Sequence, residues 1–258
     1  MRIIYCSPRE ERPWPLSAPV RFSTFEIPLS SSGIFILARG RQATGRVRVE
    51  LDQTTVSDDI TVDITARYHD WEAPRGTSIC LMEKERGELG VGVFVSDSLT
   101  YTGHLLTSGE KTPNHWDRVG RQTDFQVTVR IPHQPASPVT ELSRFEILVP
   151  DFQINLPNIE EVVHFQNLTI RTSGKPVAVD VSLSWALIPD RVLTRPFQSV
   201  KATYIDIKTS NADIHGTFIT NSSLGLTTSG ASIKANIFLE NDSTSGKETS
   251  VYATTTSG

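Results

Sequence analysis

The sequence lacks an apolar run long enough to cross a membrane, and it lacks a recognisable leader. No stretch approaches the roughly 18 consecutive apolar residues that indicate a membrane-spanning helix. The opening MRIIYCSPREERPWP has only a short apolar patch before a charged, proline-rich segment, whereas a secretory signal needs a longer apolar core. From this pattern alone we expect the chain to remain inside the cell by default.

Cysteine is nearly absent, because the 258 residues include only Cys6 and Cys80. Two thiols at this separation exclude a zinc site built from cysteines. Both residues lie in apolar, strand-like segments. Two buried free thiols are one interpretation, and a Cys6–Cys80 disulfide is the other if the chain is exported.

There is no excess of basic residues and no familiar catalytic motif. The net charge is −4 and the pI is about 5.9, so we expect no nucleic-acid partner. The nucleophile elbow, the phosphate-binding loop and the zinc-protease helix motif are all missing. We therefore expect no enzyme activity, no cofactor and no metal. The acid pairs of glycosidases are distant in sequence, so a polysaccharide-active enzyme remains an alternative.

Apolar and polar residues alternate through the first half of the chain, which predicts β-strands with one buried face. The expected inward positions are Phe25, Ile27, Leu29, Val47, Val49, Leu51, Ile60, Val62, Ile64, Ala66, Phe125, Val127, Val129 and Ile131. The segment GIFILARG is continuously apolar, as in a strand that is covered on both faces. About seven such segments with turn residues between them predict a β-sandwich over 21–136.

Two segments of the first half do not follow this alternation. Residues 1–20 are rich in proline and predict irregular structure, with a strand pattern only over Arg2–Cys6. The long polar segment 97–124 carries His104, His115 and Trp116, and it is the candidate binding loop. A solvated excursion without a ligand is the alternative for this segment.

The second half repeats a short Thr-Ser-Gly or Thr-Ser-Asn sequence. The copies begin at Thr172, Thr209, Thr228 and Thr256, at spacings of 37, 19 and 28 residues. Aligned positions on either side of the threonine are mostly apolar and fall on one parity, as strands with one buried face require. The inward positions four residues before it are Leu168, Ile205, Leu224 and Tyr252. Glycine or asparagine in the third position suits a turn with positive φ. The pattern predicts a β-solenoid or β-helix-like repeat domain over 140–258, and an antiparallel meander is the alternative.

The second half also contains three Asn-X-Ser/Thr sequons, at Asn167, Asn221 and Asn241. Serine and threonine make up about a third of residues 201–258, so one or two sequons are expected by chance. Without a leader they would remain unused. The last repeat stops at Gly258 with no strand after it, as in a fragment or a truncated gene product.

Three segments of 140–258 resemble an uncharacterised family of basidiomycete fungal proteins. They are FEILVPDFQINLPNIEEVVHFQNLTIRTSGKPVAVD, IDIKTSNADIHGTF and LGLTTSGASIKANIFLEND. The repeats of that family resemble the β-solenoid domain of bacterial adhesins, in which similar turns recur between short strands. Residues 21–136 resemble the same fungal proteins through RG-x-x-x-x-G-x-V and GVGVF. The resemblance implies an adhesin-like module without catalytic residues.

Together these observations predict a non-enzymatic binding or structural module whose partner is a protein or a glycan. Extended strand faces rich in threonine, serine and asparagine can contact such a partner over a large area. One alternative is a polysaccharide-active enzyme built on a β-helix. The other is an intracellular scaffold that oligomerises through an open sheet edge.

Overall fold

The computed structural model describes residues 1–7, 20–52, 57–68, 76–84, 87–96, 123–133, 139–157, 159–179, 199–240 and 248–256. Within these ranges the regular structure consists of β-strands, which confirms the all-β prediction. The strands are β1 (Arg2–Cys6), β2 (Val20–Pro28), β3 (Gly33–Arg39), β4 (Ala43–Asp52), β5 (Asp59–Tyr68), β6 (Thr77–Glu83), β7 (Glu88–Val95), β8 (Thr123–Pro132), β9 (Thr140–Leu148), β10 (Phe152–Leu156), β11 (Val163–Arg171), β12 (Val177–Val179), β13 (Ser199–Lys208), β14 (Ile214–Thr228), β15 (Ile233–Leu239) and β16 (Ser250–Thr255). No helix in this part of the chain is long and apolar enough to span a membrane.

The strands form one open, mixed sheet with two columns of parallel strands. The first column contains β7, β3, β9, β11, β13, β14 and β16. The second column contains β8, β4, β10, β12, β14 and β15. Strand β14 belongs to both columns: residues 214–220 pair with β15 and residues 223–228 pair with β16. From β9 to β15 the strands alternate between the columns, which provides the crossover that parallel neighbours require.

Antiparallel strands flank the columns at one end. Strand β6 pairs with β7 and β1 pairs with β6, while β5 pairs with β8 and β2 pairs with β5. The observed sheet is open and mixed, so the β-sandwich over 21–136 and the β-solenoid over 140–258 remain predictions. The division between 21–136 and 140–258 also stays a prediction, and the structure adds that paired strands cross it. Strand β3 pairs with β9, and β4 pairs with β10.

One contiguous apolar core joins the inward faces of both columns. The expected inward positions of the first half are buried in it, except Leu29 and Leu51, which pack against it while half-buried. In the second half, Leu168, Ile205 and Leu224 are register neighbours on β11, β13 and β14. Because all three are buried, the apolar positions aligned from the sequence pack side by side.

A second apolar cluster lies on the opposite, outward face of β3, β6 and β7. It contains Phe35, Leu37, Cys80 and Met82. Strand β3 is therefore buried on both faces along Gly33–Ala38, as its continuous apolar run predicts. Gly90 leaves the space that the Phe35 ring fills, because a Cβ there would lie 2.5 Å from a ring carbon.

The threonines of the repeated turn are buried at the ends of first-column strands. Thr172, Thr209 and Thr228 are 6%, 5% and 0% exposed. Each hydroxyl donates to a backbone carbonyl of the turn region: Thr172 to Pro150, and both Thr209 and Thr228 to Ala212. The two hydroxyls on Ala212 O satisfy that carbonyl inside the protein, whereas Pro150 O also accepts the N–H groups of Ser173 and Gly174.

The fourth copy of the turn is displaced by one residue from the predicted alignment. Thr255, not Thr256, is the register partner of Thr228, so Val251 pairs with Leu224. Tyr252 was predicted at the inward position, but it faces outward and is 67% exposed. A slip of one residue exchanges the two faces of a strand, and this register places valine rather than tyrosine in line with the core.

The predicted reason for glycine in the third turn position is also wrong. Gly174 and Gly230 are absent from the glycines with positive φ in the described chain, which are Gly40, Gly45, Gly87 and Gly216. The two turn glycines instead leave space for a neighbouring side chain. A Cβ on Gly174 would lie 2.6 Å from Asp151 Oδ1, and a Cβ on Gly230 would lie 2.8 Å from Asn211 Oδ1.

Replacing Thr172 by valine should lower the free energy of unfolding by about 1 kcal/mol, because the buried hydrogen bond from its hydroxyl to Phe152 O is lost. The Thr172 hydroxyl lies 3.0 Å from Pro150 O and 3.1 Å from Phe152 O. Urea unfolding of both chains measures the difference. Thr256→Val is the matched control, because Thr256 makes a similar bond to Ser229 O but is exposed. Equal losses from both variants would contradict the role of burial.

Asp213 should add stability that disappears in acid. Its Oδ1 accepts hydrogen bonds from the Ser232 N–H at 2.9 Å and the Ser232 hydroxyl at 2.7 Å. The backbone bond first, and then the hydroxyl bond, lower the pKa of Asp213 below its ordinary value of 3.8. A lowered folded-state pKa stabilises the protein above that value, and the effect is lost as the pH falls through the folded pKa. The melting temperatures of the native chain and Asp213→Asn should therefore differ at neutral pH and converge in acid, as the pH falls below 3.8 and through the lowered pKa of Asp213; a constant difference would contradict this.

Candidate functional site

A groove of about 450 Å³ lies on the outward face of the first column. Strands β11, β13, β14 and β16 form it. Alternate residues of each strand point outward into it, whereas the lining residues Leu168 and Ile205 face the core. Its lining residues are Asn167, Leu168, Thr169, Tyr204, Ile205, Asp206, Lys208, Ser223, Gly225, Thr227 and Tyr252. We refer to this feature as the outward groove. It combines two aromatic side chains with hydroxyl, amide, carboxylate and ammonium groups.

The strand register arranges these side chains in rows across the groove. One row runs from Thr169 through Asp206 and Gly225 to Tyr252. The adjacent row places Asn167 beside Tyr204 and Tyr204 beside Ser223. The pairing of β13 with β14 shifts register between Ala202 and Tyr204 and is continuous from Tyr204 onward, so the backbone fixes which groups are neighbours in both rows.

Two exposed tyrosines, Tyr204 and Tyr252, lie on either side of Gly225, which forms the floor of the groove. Tyr204 is 47% exposed and Tyr252 is 67% exposed, and β14 runs between their strands. Gly225 on β14 has no side chain to fill the space, and a Cβ there would lie 3.3 Å from Asp206 Oδ1. Exposed rings over an open floor can contact a flat ligand while their hydroxyls remain hydrated.

Two cations position the Asp206 carboxylate. Lys208 Nζ lies 3.1 Å from Asp206 Oδ2, and Arg171 Nη2 lies 3.8 Å from the same oxygen. Both cations approach Oδ2, whereas Oδ1 faces the open space above Gly225. The groove therefore contains a fixed hydrogen-bond acceptor, Asp206 Oδ1, next to the cationic donors Lys208 and Arg171. These groups suit a neutral ligand rich in hydroxyl groups.

A network of ion pairs occupies the same outward face next to the groove. Glu146 is 6% exposed, and its carboxylate binds Lys84 and, at 2.7 Å, Arg144 Nη2. Arg144 Nη1 also lies 3.0 Å from Glu88 Oε1. Both carboxylates thus have cationic partners, and their arrangement explains how charged groups are buried beside the apolar outward cluster.

The carboxylates near the turn before β11 differ from this network. Burial raises the pKa of Glu160 above 4.5, and the neighbouring Glu161 raises it further. Glu240 is a third nearby acid, and it forms an ion pair of 2.7 Å with Lys201. An acid with a raised pKa can donate a proton, so this turn is where the enzymatic alternative would operate. In the described ranges, no three His, Cys, Asp or Glu side chains are arranged to hold a metal ion.

The predicted glycosylation positions have different surroundings. Asn167 is exposed at the outward groove, and its side-chain amide donates to Ser143 O at 3.3 Å. Asn221 Oδ1 is buried without a hydrogen-bond partner. Asn241 lies outside the described residues, as do His104, His115 and Trp116 of the candidate binding loop.

Cys6 and Cys80 are joined by a disulfide between register partners on β1 and β6. Cys80 belongs to the apolar outward cluster, whereas Cys6 lies on an exposed strand. The bond therefore attaches β1 to β6, the antiparallel strand that pairs with β7 at the end of the first column.

Sequence reasoning missed most of the groove. The sequence pattern does not indicate Tyr204, and alignment on Thr256 predicts the wrong face for Tyr252. The alternation of β13 contains a usable signal for an outward Tyr204, because this residue lies between the inward residues Ala202 and Ile205. The register of β13 shifts between Ala202 and Tyr204. Gly225 carried none, since its importance depends on which strands lie beside it.

Comparisons with known proteins add little to this geometry. No protein-family model and no curated protein matches the chain. A "putative cell adhesion protein" from Clostridium sporogenes ATCC 15579 is 8% identical with a TM-score of 0.36, and the match covers 92% of this chain and 100% of that one. A "putative adhesin" from Bacteroides fragilis NCTC 9343 is 9% identical with a TM-score of 0.28, covering 86% and 97%. A "putative lipid binding protein" from Parabacteroides distasonis ATCC 8503 is 12% identical with a TM-score of 0.20, covering 90% and 96%.

These scores are too low to carry an argument about fold or function. The organisms are bacteria, and the resemblance to a basidiomycete family stays a prediction.

Proposed function

We propose that this chain is a non-enzymatic binding module that holds a glycan in the outward groove. The observation that carries the proposal is the pair of exposed tyrosines, Tyr204 and Tyr252, on either side of Gly225. A sugar ring has an apolar face of C–H groups and an edge of hydroxyl groups. The tyrosine rings suit the face, and Asp206, Asn167 and Lys208 suit the edge.

The open shape of the site supports a glycan rather than a small apolar ligand. Such ligands usually occupy enclosed, mostly apolar pockets. The groove instead lies on a strand face, and most of its side chains carry hydroxyl, amide or charged groups. An extended chain of sugars can lie across several strands of such a face.

We also propose that the two columns form one β-solenoid. Parallel neighbours stack in register in both columns, and buried threonines recur at the turns between them. The adhesin-like character of the module is part of the same proposal. It is supported by the long polar strand face, which is available for surface contacts.

Removing either tyrosine ring should weaken glycan binding by about tenfold, which corresponds to about 1.4 kcal/mol for one stacked aromatic ring. The chain is first screened on a glycan array, and the strongest oligosaccharide is then titrated calorimetrically against Tyr204→Ala and Tyr252→Ala. Phe238→Ala is the matched control, because Phe238 is 51% exposed on β15, outside the groove. A native chain that binds no glycan, or a Phe238 variant that loses as much affinity, would count against the proposal.

A polysaccharide-active enzyme is the second candidate, because the pKa of Glu160 is raised beside two other acids. Release of new reducing ends from the bound polysaccharide would indicate this activity. If Glu160→Gln abolished that release, the chain would be an enzyme and the non-enzymatic proposal would be wrong.

A further inference from the structure

We propose that Asn167 carries an N-linked glycan whose first sugar lies in the outward groove, so that glycosylation and ligand binding compete. The competition rests on the proposed glycan-binding function. The position of the attached sugar rests only on the geometry of β11 and β13.

The Asn167 sequon lies entirely on the groove side of β11. Asn167 and Thr169 are two residues apart in a strand and both line the groove. Asn167 is exposed, and its amide has a single protein acceptor, Ser143 O at 3.3 Å, among the described residues. The amide nitrogen lies on the outward surface, on the β9 side of the groove, so a sugar attached to it would start beside the groove and not in the core.

Tyr204 is placed to contact that first sugar. It is the register partner of Asn167 on β13, and neighbouring strands lie about 4.8 Å apart. Its ring is 47% exposed on the same outward face. The apolar face of an N-acetylglucosamine attached to Asn167 can pack on this ring, where a groove ligand would otherwise pack.

The second described sequon lacks these features. Asn221 lies in the middle of β14, and its Oδ1 is buried without a partner. Asn221 as a whole is half-buried, so a glycan there would start from a side chain with less open surface around it than exposed Asn167. The structure therefore separates two sequons that are equivalent as sequence motifs.

The disulfide gives independent support for passage through a compartment where glycosylation occurs. Cys6 and Cys80 are bonded, and structural disulfides form in oxidising compartments such as the lumen of the secretory pathway. There the Asn167 nitrogen would attack the anomeric carbon of an oligosaccharide linked to a lipid diphosphate. The N–C bond forms, the C–O bond to diphosphate breaks with its electron pair on the leaving group, and the nitrogen loses a proton.

The experiment compares the same sequence with and without the glycan. The chain is produced behind a secretion leader in a eukaryotic cell, and separately in a bacterial strain that forms disulfides but does not glycosylate. Peptide mass mapping should find the glycan on Asn167 and not on Asn221, and Asn221→Gln should leave the intact mass shift unchanged. Sugar on Asn221 instead, or on neither residue, would overturn the inference.

Tyrosine nitration then locates the sugar without any added ligand. The glycan should slow nitration of Tyr204 severalfold relative to the bacterial chain, while Tyr5, 54% exposed on distant β1, serves as the internal reference. After the N-glycan is removed by the amidase that converts Asn167 to aspartate, the rate should match that of the bacterial Asn167→Asp variant. Equal Tyr204 rates with and without glycan would overturn the inference.

Calorimetry finally tests the competition. The oligosaccharide selected on the array should bind the glycosylated chain at least tenfold more weakly than the bacterial chain. Equal affinity of a chain glycosylated at Asn167 would overturn the competition. If the bacterial chain binds no glycan at all, the proposed function is wrong and the competition falls with it, while the nitration rates still decide where the sugar lies.

Discussion

Replacing Gly90 by alanine should lower the free energy of unfolding by about 3 kcal/mol or more, because overpacking here strains backbone as well as side chains. A Cβ on Gly90 would lie 2.1 Å from the backbone oxygen of Phe35 and 2.5–2.6 Å from two carbons of its ring. Phe35 is 1% exposed, so its ring has no free space to enter. Gly90 and Phe35 are register partners, so the clash could be relieved only if β3 and β7 moved apart.

The control for this prediction is another glycine on a strand of the same column. A Cβ on Gly225 would meet only Asp206 Oδ1, at 3.3 Å, and a carbonyl oxygen at 3.8 Å. Gly225→Ala should therefore unfold at nearly the urea concentration of the native chain, while losing glycan affinity because the groove floor is raised. If Gly90→Ala and Gly225→Ala unfolded together, close approach at Gly90 would not be the cause.

The strands themselves could be predicted from the sequence, whereas their neighbours could not. Alternation of apolar residues depends on one buried face, and Val47, Val49 and Ile64 show it whether their strands pair in parallel or antiparallel order. Pairing of β3 with β9 joins residues more than a hundred positions apart. No local pattern encodes that choice, because it depends on how all columns pack together.

The site shows the same division between local and distant information. The sequon identified Asn167 because its signal is contained in three adjacent residues. Alignment on Thr256 predicts the wrong face for Tyr252, because a slip of one residue exchanges the two faces of a strand. The turn glycines were interpreted through their own backbone angles, whereas the actual reason is a side chain, Asp151 or Asn211, from an adjacent turn.

Removing the disulfide should have the other large effect. The bond closes a sequence separation of 74 residues, and loops of that length lose enough chain entropy to contribute about 4 kcal/mol in the loop-entropy model. The double variant Cys6→Ala with Cys80→Ala is preferable to serine, because Cys80 is 1% exposed and a hydroxyl there would add its own cost. Urea unfolding without reductant measures the loss.

The same variant should release β1 before the rest of the sheet unfolds. All five residues of β1 are exposed, so the strand buries little apolar area, and its outermost contact is the exposed Arg2–Glu83 ion pair. Exposed ion pairs contribute about 0–1 kcal/mol, so Arg2→Ala serves as the control with a small effect. Amide hydrogen exchange over Arg2–Cys6 should accelerate in the double variant while β9 and β11 keep their protection. Unchanged exchange in β1 would show that backbone pairing with β6 holds the strand without the disulfide. The predicted loss of stability would then arise only from the greater conformational entropy of the unfolded chain.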